Sequence, residues 1–113
     1  MRILIVGNMG YVGPVVIRHL RDRFPTATLV GYDSCLFGQC LTTSGPFPEI
    51  MFDAQYFGDV RDIFAPFLNG TDAVVHLVAI SNDPMGSRFE ELTDQFNRGG
   101  SLHLAQMAAR AGV

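Results

Sequence analysis

The chain has 113 residues, 48% of them hydrophobic, a mean hydropathy of +0.22 and a formal net charge of -3. That is enough for one domain with a real core, and too apolar for a disordered segment. The weakly acidic balance gives no electrostatic case for nucleic acid or an anionic membrane. No apolar run approaches the roughly 20 residues of a membrane span, and Met1 opens directly onto a strand without a signal peptide, so a cytoplasmic location is expected. All 8 Lys+Arg residues are arginine. Chemistry that requires a lysine must therefore be done elsewhere.

Taken in order, Ile3, Leu4, Ile5 and Val6 predict a short strand covered on both faces, as in a parallel sheet. The strand runs into Gly7, Gly10 and Gly13, spaced G-x-x-G-x-x-G. Strand, tight turn and helix start in that order form a seat for a pyrophosphate, which would lie against free N–H groups and the positive end of a helix. Gly7 supplies backbone angles closed to other residues, Gly10 lets the main chain approach a ligand, and Gly13 removes a Cβ between packed elements. A merely structural glycine turn is the alternative. Val12, Val15, Val16, His19 and Leu20 then fall at helical spacing, predicting a helix from about Tyr11 to Arg23 that tolerates Pro14 in its first turn and stops at Pro25. A second strand, about Thr28 to Tyr32, leads to Asp33. That carboxylate lies about 20 residues beyond the glycines, where a dinucleotide fold binds ribose hydroxyls.

From Ser34 to Met51 glycine, proline and polar residues predict a long loop. Of the nine phenylalanines, Phe37, Phe47 and Phe52 lie in or beside it, and they either fold back over strand two or cover a ligand or another subunit. A short strand is expected around Gln55 to Phe57. Val60, Ile63, Phe64, Phe67 and Leu68 predict a short helix stopped by Asn69-Gly70. Ala73 to Val78 is an apolar fourth strand, and Ser81 to Pro84 a loop. From about Ser87 to Ala111 the chain reads as helix, with Gly99-Gly100 marking either a close crossing or a break.

Three right-handed crossovers place four parallel strands in the order 3-2-1-4, half of a Rossmann-type doubly wound α/β sheet. The crevice lies between strands one and four, so Gly7 to Gly13 and Leu77 to Ser81 should face one ligand, with Asp59 on the same edge. If no fifth strand follows, strand four becomes an edge, and the isolated piece is expected to aggregate, swap strands or need a partner, a homo-oligomer among the options.

Bland readings cover the remaining candidates. Cys35 and Cys40 are expected as free thiols, since no further ligands accompany them for a metal. His76 is expected as a hydrogen-bonded core histidine, and His19 and His103 as packing or surface residues. A Ser81–His76–Asp83 triad lacks a nucleophile-elbow motif. Arg18, Arg21, Asp22 and Arg23 read as the solvated face of the first helix.

The sequence as a whole resembles the extended short-chain dehydrogenase/reductases, in particular the NAD-dependent sugar-nucleotide epimerases and dehydratases. The resemblance rests on GNMGYVG at Gly7 to Gly13, Asp33, GDVRD at Gly58 to Asp62, VVHLVAIS at Val74 to Ser81, and Asn97 with the LAQMAARAGV that follows. It implies that backbone at Gly10, Tyr11 and Val12 meets the pyrophosphate of NAD and that Asp33 takes the adenosine ribose, disfavouring NADP. It implies that Asp59 accepts from the adenine amino group beside Val60, that Leu77, Val78 and Ala79 line the cofactor between its halves, and that Asn97 sits beneath the nicotinamide side. The family carries a smaller alanine where this chain has Val78. Its catalytic tyrosine, followed four residues later by lysine, has no counterpart here. Residues 1–113 are thus expected to form an incomplete NAD-binding domain, truncated before strand five and without catalytic or metal-binding residues of its own. The full enzyme would move hydride between a nucleotide sugar and nicotinamide. A stand-alone, non-catalytic dinucleotide-binding module and an extended reductase of a non-sugar substrate are the competing expectations.

Overall fold

The apolar run at the start of the chain forms β1 (Arg2–Val6), four of whose five residues are buried. A computed structural model describes residues 1–38, 48–81 and 88–113. In it β2 (Thr28–Asp33), β3 (Ala54–Phe57) and β4 (Ala73–His76) join β1 in a sheet of order β3-β2-β1-β4. Every pairing is parallel, with Val6 opposite both Tyr32 and His76 and with Asp33 opposite Phe57. This is the expected order, and it brings the C-terminal ends of β1, β2 and β4 to one edge of the sheet.

Alternation along the strands divides the core. Leu4, Val6, Val30 and Tyr32 face Val60, Ile63, Leu68, Ile80, Phe96 and Leu104 on one side. Ile3, Ile5 and Leu29 face Leu20 and Phe52 on the other. The first side is covered by α2 (Ala65–Leu68) and by a long C-terminal helix, the second by α1 (Gly13–Arg23).

The phase of α1 differs from the periodic reading. Val15 and His19 point to solvent, whereas Ile17 is fully buried and Val16 and Leu20 are partly so. The buried line starts from Gly13, not Val12, because Gly13 is pressed against the preceding turn and sets which side of the helix meets the sheet. Arg21 does not belong to the solvated face either. Its guanidinium donates to the carbonyls of Met51 and Ala27 and to the Asp53 carboxylate, tying α1 to the approach to β3.

The helix expected over 60–68 is divided in two. Asp59 caps a 3₁₀ turn (Val60–Asp62) by accepting from the Arg61 N–H, Ile63 and Phe64 are extended, and α2 restarts at Ala65. Pro66 explains the restart, since proline is tolerated in the first turn of a helix and breaks an interior. Phe64 is consequently exposed while Ile63 and Leu68 are buried.

The C-terminal helix comprises α3 (Glu90–Asp94), a π-helical stretch (Gln95–Gly100) and α4 (Ser101–Ala111). Gly99-Gly100 is therefore no break. A Cβ on Gly100 would lie 2.7 Å from Val60 Cγ1, so the glycine marks a close crossing over the 3₁₀ turn. The helix ends where Gly112 takes φ 81°, with Val113 N–H on the Ala108 carbonyl and Gly112 N–H on Ala109, a Schellman closure. No described helix is long and apolar enough to cross a membrane. Cys40, Phe47, Asp83 and half of the expected 34–51 loop lie outside the described residues, as does the expected helix start at Ser87.

Candidate functional site

The turn after β1 is shaped by its glycines in three ways. Gly7 takes φ 85°, and a Cβ there would come within 2.6 Å of the Val78 backbone nitrogen, so only glycine allows β1 and the end of β4 to converge. A Cβ on Gly13 would fall on the carbonyl oxygen of Asn8, which fixes the entry to α1. At Gly10 an added Cβ would meet only the Gly7 carbonyl, at 3.8 Å. The space above Gly10 is thus open, as a backbone meant to approach a ligand requires. Among the described residues, no acceptor takes the N–H groups of Gly10, Tyr11 or Val12.

Asp33, at the end of β2, turns its carboxylate back to this loop. One oxygen accepts from the Met9 N–H at 2.8 Å and the other from the Cys35 N–H at 2.6 Å. Two backbone donors fix its direction and leave lone pairs for hydroxyl groups of a ligand. Cys35 itself takes φ 61°, which closes a turn that returns the Gly38 N–H to the Cys35 carbonyl and carries Leu36 and Phe37 towards the crevice.

A cleft runs along this edge in two adjoining lobes. One is bordered by Gly7, Gly10, Asp33, Leu36, Phe37, Gly58, Val60, Val78 and Phe96. The other, of about 330 Å³, lies among Tyr11, Val12, Phe37, Leu77, Ala79, Ile80 and Ser81. Its size is that of a small-molecule site. Gly7, Gly10, Tyr11, Val12, Asp33, Val60, Leu77, Val78 and Ala79 are therefore brought to one cleft.

Gly13, Asp59 and Asn97 stand behind it. The Asp59 carboxylate is held by Arg61, which donates from Nε at 3.0 Å and from Nη2 at 2.6 Å. The Arg61 hydrogen bond keeps this carboxyl below the usual range despite partial burial. The same guanidinium lies 4.1 Å over the Phe96 ring. Asn97 spends its amide on one residue: Oδ1 accepts from the Ile80 N–H at 2.8 Å and Nδ2 donates to the Ile80 carbonyl at 2.9 Å. It thereby fixes the segment after β4 that forms the cleft wall. Tyr32 packs beneath, its hydroxyl donating to the Asp59 carbonyl; burial first, then Asp62 and Asp59, pushes its phenol up.

Histidines and loop aromatics take the places their neighbours dictate. His76 Nε2 meets Ser101 Oγ at 2.7 Å, and because that hydroxyl donates to the Asn97 carbonyl, Nε2 carries the proton. Burial pushes His76 below the usual imidazole range, and Nδ1 is buried without a partner among the described residues. His103 lies on the Ile63 carbonyl. Of the loop phenylalanines, Phe52 packs on Ile3, Ile5 and Leu29, whereas Phe37 borders both lobes. Among the described residues no cluster of His, Cys, Asp or Glu could hold a metal ion.

Sequence reasoning missed Asn8 and Gln55, whose amides meet behind the glycine turn. Gly31, a glycine inside an otherwise apolar strand, was the signal that could have located them.

A four-stranded parallel sheet in this order, with a glycine turn and an acidic residue at the crevice, defines the nucleotide-binding half of a Rossmann-type fold. Within that class the chain has the fold of the N-terminal part of the extended short-chain dehydrogenase/reductases. A double mutant of DesIV, a dTDP-glucose 4,6-dehydratase from Streptomyces venezuelae with NAD bound, matches with a TM-score of 0.78 and 30% identity, over 100% of this chain and 37% of that one. The NAD-dependent NDP-hexosamine 5,6-dehydratase TunA of tunicamycin biosynthesis matches at 0.81 with 21% identity, over 99% of this chain and 34% of that one. UDP-glucose-4-epimerase from Stenotrophomonas maltophila, with NAD bound, matches at 0.76 with 20% identity, over 100% and 34%. The chain thus spans about a third of the length of the solved structures it matches. No protein-family model and no curated protein matches its sequence.

Proposed function

We propose that this chain is the NAD-binding part of an NAD-dependent epimerase or dehydratase that acts on nucleotide sugars by hydride transfer. The observation that carries the reading is the junction of Gly7, Gly10 and Asp33: open space above Gly10 and N–H groups with no acceptor among the described residues, beside a carboxylate aimed at the same loop. Backbone at Gly10, Tyr11 and Val12 would take the diphosphate, and Asp33 the adenosine diol, with Val60 beside the adenine. Leu77, Val78 and Ala79 would wall the passage to the nicotinamide end. Asp59 and Asn97 act from behind, one by bracing the turn over Phe96 and the other by fixing Ile80. Bound nicotinamide would supply the hydride acceptor. Residues 1–113 then form an incomplete dinucleotide domain in a larger cytoplasmic enzyme, whose remaining part would furnish the sugar pocket and the proton-transfer groups.

Calorimetric titration with NAD and NADP tests this directly. The parent chain should bind NAD at least about tenfold more tightly than NADP, since Asp33 accepts from a free diol and repels a 2′-phosphate. In Asp33→Ala the NAD affinity should fall by about tenfold and the preference should vanish. Absence of binding, or a preference that survives the substitution, rejects the assignment.

A further inference from the structure

Asn8 is 2% exposed, and its side chain cannot reach water to satisfy its amide. Instead Nδ2 donates to Gln55 Oε1 at 2.7 Å, while Gln55 Nε2 lies 3.4 Å from Asn8 Oδ1 and donates to the Tyr56 carbonyl at 2.8 Å. The two amides come from the turn after β1 and from β3, and β2 lies between these strands in the sheet. They meet across β2 at Gly31, where a Cβ would strike Gln55 Oε1 and come within 2.9 Å of both amide atoms of Asn8. A glycine inside a strand costs stability and leaves no side chain to pack, so its position here has a structural cause: it makes room for a polar contact between elements that do not pair.

The location of this contact matters more than its strength. Asn8 sits between Gly7, locked at φ 85°, and Met9, whose N–H orients the Asp33 carboxylate. Its own carbonyl is the surface on which Gly13 starts α1. We infer that Gln55 is a positioning residue for the dinucleotide seat: through Asn8 it holds the 7–10 turn so that the Met9 N–H keeps Asp33 facing the crevice. The ligand-binding part of this inference rests on the NAD reading above; the ordering of the turn does not.

Replacing both partners by apolar side chains of similar shape separates positioning from mere stability, because such an exchange is nearly neutral for folding. Gln55→Met alone leaves the Asn8 amide buried and unsatisfied and should lower the denaturation midpoint. The double variant Asn8→Leu/Gln55→Met should recover it. NAD affinity should stay about tenfold weaker than the parent in the double variant, and exchange of the Met9 amide, followed by NMR without ligand, should be about tenfold faster. Exchange at Leu4 and Val30 in the core should not change. Parental Met9 protection together with parental NAD affinity in the refolded double variant overturns the inference. A parent chain that binds no NAD overturns the functional reading instead, and Met9 exchange still decides whether the amide pair orders the turn. Gln55→Met answers the same question if the double variant does not fold.

Discussion

The turn after β1 and the segment after β4 face each other across the crevice and are held by opposite means. The first is fixed by the absence of side chains: Gly7, Gly10 and Gly13 each occupy a place where a Cβ would collide with backbone or close off the open space. The second has no glycine between Leu77 and Ser81 and is fixed by one long-range side chain, the Asn97 amide on the Ile80 backbone. A seat for a diphosphate needs bare backbone, and steric freedom can be provided only locally. A wall beside it needs only a fixed direction, which a side chain 17 positions away can supply.

Breaking the first turn should have the largest effect. Gly13→Ala puts a methyl group on the Asn8 carbonyl, and both atoms belong to rigid backbone, so the cost should reach about 3 kcal/mol or more. Urea denaturation measures it, and a midpoint within error of the parent would show that the α1 entry can shift. Gly10→Ala sharpens the comparison, because its Cβ would touch only the Gly7 carbonyl at ordinary distance. That variant should fold as well as the parent and, on the proposed reading, lose NAD binding, since the added carbon would occupy the open space assigned there to the diphosphate.

Breaking the second wall should cost less. Asn97→Leu removes both bonds to Ile80 and leaves a partly buried N–H and carbonyl without their partner, for about 1–3 kcal/mol. Asn97→Asp keeps the acceptor for the Ile80 N–H but sets a charged oxygen against the Ile80 carbonyl in place of the donor, so its midpoint at neutral pH should fall at least as far as that of Asn97→Leu. A midpoint for Asn97→Asp close to the parent would mean that the bond to the Ile80 carbonyl carries none of the cost.

The same contrast explains what could be read from the chain. Spacing of Gly7, Gly10, Gly13 and Asp33 is local, and the physics that demands glycine at a tight turn acts on those residues alone. Strand order followed from it through the right-handed crossover. The phase of α1 was illegible because Val12 and Val15 are apolar without being buried, and only the contact of Gly13 with Asn8 decides that Ile17 faces the sheet. The break at Ile63-Phe64 could have been read from Pro66. The work of Asn97 and Arg21 could not, because each is defined by a backbone partner remote in sequence.

The smallest expected effect concerns His76, which ends β4 and ties it to the C-terminal helix. Its Nε2–H is satisfied by Ser101 while Nδ1 is buried without a described partner, so the fold favours the neutral ring. Burial places the folded-state value below the ordinary 6.5. Above that pH both folded and unfolded chains hold neutral imidazole, and the contribution is constant. As pH falls below it, the unfolded chain takes up the proton first, and stability declines until the folded-state value is passed. Asp59, whose carboxyl is also lowered, contributes with the same sign only as pH approaches and falls below the ordinary 3.8, outside this window. Denaturation midpoints at pH 7.5, 6.5 and 5.5 should therefore fall more steeply for the parent than for His76→Gln. Superimposable pH profiles would mean that the fold accepts a charged ring at the end of β4, and that the wall beyond it does not depend on the neutral histidine.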